Sequence, residues 1–209
     1  MIDELVEVQK AGETVPGFRT GIQAEELIQL SYNLEGDPVI VEIGSFLGRG
    51  AAYLAGARRL RNSGMVHTID PFDNSGDPFS VPHYNRLLAD AGYTPGANRQ
   101  CFDDNIARLG LQNWVTAYQG RQDAIAATWT KPIDFLFLDG DQSPEGARST
   151  YENWAPFLIK GGILAVGNSA EREYAPGHDG NFRLVQAEVV PENYCDIRLI
   201  WLLTVARKL

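Results

Sequence analysis

One feature restricts the possible folds of this chain more than any other. Short β-branched, almost wholly apolar runs alternate with stretches of helical periodicity. Pro38-Val39-Ile40-Val41-Glu42-Ile43 is followed by a helical pattern over Ala51 to Arg61, then by Met65-Val66-His67-Thr68-Ile69-Asp70. The alternation continues through a helical stretch around Phe102 to Leu109, the run Trp114 to Tyr118, a short helix near Asp123 to Trp129, and the run Ile133 to Asp139. A helix from Glu145 to Phe157 and the run Gly162 to Val166 complete it. Runs this apolar belong to strands covered on both faces. Strand and helix in alternation mean βαβ units with right-handed crossovers, hence an α/β, Rossmann-like, mostly parallel sheet with helices on both faces. A helix on Ile22, Leu27, Ile28 and Leu30 precedes the first strand, and Gly36 and Pro38 stop it. Two segments break the rhythm. Pro71 to Asn98, rich in Gly, Pro, Asn and Asp, is expected to be an irregular lid or insertion. Glu171 to Gly180 is a polar loop, and Arg198 to Ala206 is expected to close the sheet as one strand.

The 209 residues suit a single domain spanning 1–209, and 44% apolar with 22% charged residues are globular values. A net charge of −9 argues against nucleic acid as a partner, because phosphate binding needs clustered Lys and Arg. Cys101 and Cys195 lack CxxC spacing, so neither a disulfide framework nor a zinc knuckle is indicated. No signal-peptide pattern and no apolar run of membrane-spanning length is present, so a cytoplasmic protein without a membrane partner is expected. A homo-oligomer stays open.

In open α/β sheets, ligands bind beyond the carboxyl ends of the strands. Here those ends are acidic: Glu42, Asp70, Asp139 and Asp141 each fall at or just past a strand's last apolar residue. The bend Gly44-Ser45-Phe46-Leu47-Gly48-Arg49-Gly50 lets a ligand approach the backbone, but it matches neither GxGxxG nor a phosphate-binding Walker sequence. A carboxylate at Glu42 would repel the pyrophosphate of a dinucleotide and welcome a cation. S-adenosylmethionine, with an ammonium, a sulfonium and no phosphate, fits that requirement, and Asp70 is placed to accept from ribose hydroxyls. The plain structural alternatives are a tight bend and, for Asp70, a turn before Pro71.

Val41-Glu42-Ile43-Gly44-Ser45 with Gly48, Ile69-Asp70-Pro71-Phe72, Phe137-Leu138-Asp139-Gly140-Asp141 with Glu145-Gly146, Trp154 with Pro156-Phe157-Leu158, and Gly161-Gly162-Ile163-Leu164 follow one another in a recognisable order. From Gly21 to Lys208 this pattern resembles the class I S-adenosylmethionine-dependent methyltransferases, and more narrowly the macrocin-type sugar O-methyltransferases. The resemblance implies seven strands with the last antiparallel, and O-methylation of a small hydroxylated acceptor, a sugar or secondary metabolite. It assigns Glu42, Gly44, Ser45 and Gly48 to the methionine end of the cofactor, Asp70 to the ribose, and Gln122 and Asp123 to the adenine edge. Asp123 serves equally well as a helix cap. Asp139 joins the same cofactor set.

Transfer to oxygen requires the acceptor to be held in line with the methyl group and relieved of its proton. Asp139, Asp141 and Asn168 resemble a metal site of relatives, which would hold Mg²⁺. Those relatives read Asp-Gly-Asp-His-Ser and close the later strand with His-Asp, whereas this chain has Gln142 and Gly167-Asn168. The metal-free alternative draws its catalytic groups from Asp139, Asp141 and His178, with His178 as base. His67, inside a strand, reads as structural, and His83 and Tyr84 reach the substrate from the lid. A cofactor-binding protein with decayed catalysis and a nicotinamide-dependent oxidoreductase are the competing readings.

Overall fold

The computed structural model describes residues 2–209. Seven strands form one sheet: β1 (Val39–Ile43), β2 (Met65–Asp70), β3 (Val115–Gln119), β4 (Ile133–Leu138), β5 (Leu158–Val166), β6 (Tyr194–Ile200) and β7 (Leu203–Lys208). Their order is β3-β2-β1-β4-β5-β7-β6. Neighbours among β1 to β5 pair in parallel, and β7 runs antiparallel to both β5 and β6. The Rossmann-like sheet with an antiparallel last strand is therefore present.

Helices α1 (Ile2–Glu13), α2 (Ile22–Asn33), α3 (Arg49–Arg61), α4 (Ser80–Asp90) and α5 (Asn98–Arg108) precede β3, and α6 (Gln122–Ala126), α7 (Pro144–Trp154) and α8 (Gly180–Glu188) follow it. Side chains alternate across a strand. Ile40, Val66, Phe135 and Ile163 thus pack with Leu27, Leu54 and Phe102 on one face, while Val41, Leu136 and Leu164 pack with Trp154 and Leu184 on the other. The same alternation puts Glu42 on the Ile40 face, buried under the start of α3. No helix among the described residues is long and apolar enough to cross a membrane.

Three sequence expectations change. Residues 198–206 form a hairpin, not one strand: β6 ends at Ile200 and the chain reverses through Trp201, whose φ is +58°. Nothing of Gly or Asn type marks that turn, so composition hid it. The segment 71–98 holds the helix α4, because Pro82 falls in its first turn, where a missing N–H costs nothing. Helices α1 and α8 were not anticipated, and Val8, Leu184 and Val185 bury their apolar sides.

The loops after β1 and β4 touch backbone to backbone. Asp139 N donates to Ile43 O at 2.9 Å, and Gly44 N donates to Ile69 O at 2.9 Å. A Cβ on Gly44, whose φ is +89°, would lie 2.6 Å from Asp139 O and from Gly140 N. Gly44→Ala is therefore expected to cost roughly 2–4 kcal/mol through overlap and strain, about 5–15 °C in Tm by thermal denaturation.

Candidate active site

Two cavities of about 450 and 440 Å³ open side by side beyond the carboxyl ends of β1, β2 and β4. Gly44, Phe46, Tyr84 and Asp139 line both.

The cavity over β2 contains Asp70, Asn98, Gln122, Asp123 and Asp141. Asp70 is gripped by the two loops it separates: Phe46 N donates to one carboxylate oxygen at 2.8 Å and Phe72 N to the other at 2.6 Å. Both donors have positive φ, +48° and +55°, so the loops are bent to reach it. Burial nonetheless pushes the Asp70 pKa up to about 6, because desolvation outweighs the N–H bonds. Gln122 is held at both ends of its amide, accepting from Trp154 Nε1 at 3.0 Å and donating to Ser149 Oγ at 3.2 Å. Asp123 lies at the rim, where its bond from Arg121 holds its carboxyl below the ordinary range. Asn98, which sequence reasoning missed, is buried here with its Oδ1 unpartnered.

The cavity over β1 and β5 contains Arg19, Glu42, Ser45, Gln142, Asn168 and His178. Glu42 is 1% exposed and its Oε2 has no hydrogen-bond partner. Burial pushes its pKa up to about 8, and the carboxylates of Asp139 and Asp70 add to the rise. Ser45 lies close enough to temper the rise without reaching hydrogen-bond geometry, since its own Oγ is also unpartnered. The residue expected to attract a cation by its charge is thus mainly protonated at neutral pH.

Arg19 enters from the loop between α1 and α2. Its guanidinium meets the Asp139 carboxylate with both Nε, at 2.9 Å, and Nη2, while Nη1 donates to Gln23 at 3.3 Å. Burial opposes the charge, and Asp139 more than offsets it, keeping the Arg19 pKa above its ordinary value. No local motif announces this residue, because its partner is 120 positions away.

His178 is 6% exposed. Its Nδ1 lies 3.0 Å from Asp77 Oδ1, and its Nε2 lies 3.0 Å from Asn168 Nδ2. A carboxylate only accepts, so Nδ1 carries the hydrogen and Nε2 the lone pair. Arg172 donates to Asn168 Oδ1 at 2.5 Å, which turns the amide nitrogen toward His178 and Gln142. Asp77 comes from the 71–98 segment and was not anticipated. His83 and Tyr84 line the same cavity.

Not every expected residue converges. Asp141 faces only the β2 cavity, where its Oδ1 accepts from Ser143 N at 2.9 Å, and Asn168 faces only the other. The Asp139, Asp141 and Asn168 set proposed for Mg²⁺ is therefore not brought together. Among the described residues, no group of three His, Cys, Asp or Glu side chains is arranged to hold a metal. Gly48 lines neither cavity. It closes a tight turn, donating to Ser45 O at 2.8 Å, with Phe102 packed behind it. His67 is buried in the sheet beside Tyr118 and Trp129.

Residues 41–169, which carry the end of β1, the bend from Gly44 to Gly50 and the acidic strand ends, match the family model described as a methyltransferase domain. The chain belongs to that methyltransferase family. The O-methyltransferase NovP superposes with a TM-score of 0.69 at 16% identity, covering 99% of this chain and 97% of that one. TomG from Streptomyces achromogenes, an O-methyltransferase of tomaymycin synthesis solved with SAM, gives 0.63 at 18% identity over 99% and 89%. An SAH-bound methyltransferase from Podospora anserina gives 0.64 at 16% over 99% and 88%.

The buried Glu42 of this methyltransferase makes a stability prediction. Its pKa rises from 4.5 to about 8 on folding, so between those values the unfolded chain releases a proton that the folded one keeps. The Glu42 contribution to stability therefore falls as pH rises across that window. Glu42→Gln should raise Tm by several degrees at pH ~8 and by little at pH ~5, in paired thermal melts.

Proposed function

We propose that this chain transfers a methyl group from S-adenosylmethionine to an oxygen of a small hydroxylated acceptor. The observation that carries the reading is the pair of adjoining cavities, one tipped by Asp70 and the other by the unpartnered Glu42, meeting at Gly44 and Asp139. The fit is chemical. Glu42 Oε2, Ser45 Oγ and Asn98 Oδ1 are buried acceptors without partners, and S-adenosylmethionine brings an ammonium, ribose hydroxyls and an adenine amino group that donate. SAM-bound TomG and the O-methyltransferase NovP, similar over nearly the whole chain, support the cofactor and the oxygen acceptor.

In this reading Asp70 holds the ribose, Asn98, Gln122 and Asp123 border the base, and Glu42, Gly44 and Ser45 receive the amino-acid end. Gly48 shapes the loop from behind. The cofactor supplies a methyl group activated by the positive sulfur. The residues of this chain orient the acceptor and take its proton. His178, oriented by Asp77, presents the Nε2 lone pair, and the acceptor hydroxyl replaces the Asn168 N–H there before giving up its proton. The 71–98 segment acts as a lid that carries Asp77, His83 and Tyr84. Asp139 and Asp141 border the transfer site without themselves taking the proton. A reducing cytoplasm suits the free Cys101 and Cys195.

Calorimetric titration with S-adenosylhomocysteine tests the cofactor directly: micromolar binding is expected, and the absence of heat at that concentration overturns the reading. Asp70→Ala should weaken the affinity by about tenfold or more, through the lost ribose bonds. Once an acceptor panel identifies a substrate, His178→Ala should lower kcat by about a hundredfold or more, with the fold intact by circular dichroism.

A further inference from the structure

The resemblance to macrocin-type enzymes implies a divalent cation held by Asp139, Asp141 and Asn168, and the residues of this chain do not fit one. Asp139 has both its oxygens engaged by Arg19, Asp141 faces the other cavity, and Asn168 is a neutral amide committed to Gln142, His178 and Arg172. A positive charge is present all the same, as the Arg19 guanidinium. We propose that Arg19 is a built-in cation that replaces the divalent metal of relatives, so that a guanidinium, not a metal ion, polarises the oxygen to be methylated.

Three observations carry this. First, the loop that delivers Arg19 is stapled in place: Tyr53 Oη donates to Arg19 O at 2.8 Å, and Arg49 donates to Val15 O at 2.6 Å and to Arg19 O at 3.3 Å. Arg49 belongs to the glycine-rich bend itself, so the same turn that forms the cofactor loop fixes the cation. Second, Gly167 makes the room. A Cβ there would overlap Asp139 Oδ1 and the Arg19 Nη2, and would lie 3.0 Å from Arg19 Cζ. A side chain at 167 and the guanidinium of Arg19 in its present position would compete for the same space, so Gly167 accommodates the arginine. Third, the guanidinium is not exhausted by Asp139. Its bonds to Asp139 and Gln23 leave one N–H on each terminal nitrogen without a partner among the described residues, in a group that lines the cavity with His178. Those donors suit an acceptor oxygen as it loses its proton, because a charge-assisted bond strengthens when its acceptor becomes anionic. Arginine stays protonated throughout and therefore acts as an electrostatic partner, leaving proton removal to His178.

The role given to this cation rests on the methyl-transfer reading, whereas the absence of metal affinity is measured separately. Mn²⁺ is the probe, with free ion followed by electron paramagnetic resonance. The wild-type protein, with and without S-adenosylhomocysteine, is expected to bind no Mn²⁺ at millimolar concentration. The single variant Asn168→Asp, with Arg19 in place, is expected to stay silent. Arg19→Gln combined with Asn168→Asp should bind Mn²⁺ at least ~10-fold more tightly than the wild type, and adding Asp139→Asn should abolish that gain. Wild-type binding that Asp139→Asn removes would overturn the proposal. So would binding by Asn168→Asp alone, or a double variant that holds S-adenosylhomocysteine yet is as silent as the wild type. Calorimetry with S-adenosylhomocysteine on the wild type reads the other claim: if it fails there, the cofactor assignment falls while the Mn²⁺ result stands.

Discussion

Everything at this site depends on the close contact between the ends of β1 and β4. Gly44, with φ +89°, lets its loop meet the Asp139-Gly140 backbone directly, and that contact sets where the two cavities join. A side chain at Gly44 would push the loops apart and with them Glu42, Asp70 and Asp139. The parallel sheet explains why the chemistry gathers there. Both of its faces are covered by helices, so ligand-binding polar groups gather where the strands end.

Within that frame the electrostatics differ from a simple acidic patch. Glu42, raised to about 8 by burial, is mainly protonated at neutral pH, whereas Asp70, raised to about 6, keeps most of its charge and shares it with the N–H groups of Phe46 and Phe72. Asp139 pairs with Arg19. A nucleoside carrying an ammonium supplies donors to Glu42 Oε2 and Ser45 Oγ, which have no partner among the described residues.

The two histidines near the transfer site illustrate how burial separates roles. His178 is locked between Asp77 and Asn168, with its tautomer dictated by a carboxylate. His83 is exposed, and its Nδ1 lies 2.9 Å from the carbonyl of Phe79, the residue that caps the start of its helix. The lid segment thus contributes to the site chiefly through Asp77, which reaches from one side of the cavity to a histidine on the other. Phe46, Tyr84 and Phe18 stack nearby, with ring centroids 4.9 to 6.0 Å apart, and form an aromatic wall to the same space.

Periodicity by itself determined the α/β class and the positions of β1, β2 and β4, with the glycine turns after β1 and β4, because strands buried on both faces are largely apolar and end in polar residues. It also placed Glu42, Asp70 and Asp139 at strand ends, which is a statement about position and needs no partner. The hairpin at Trp201 escaped it, since its turn has no Gly or Asn and its strands are as apolar as one continuous strand. The partners were decided only by tertiary structure. Arg19 and Asp139 lie 120 residues apart, and His178 and Asp77 lie 101 apart, so no local pattern encodes either pair. Gly167 reads in the sequence as a missing ligand. In the folded chain it is the space that an arginine fills, because only packing brings the first loop onto the end of β5.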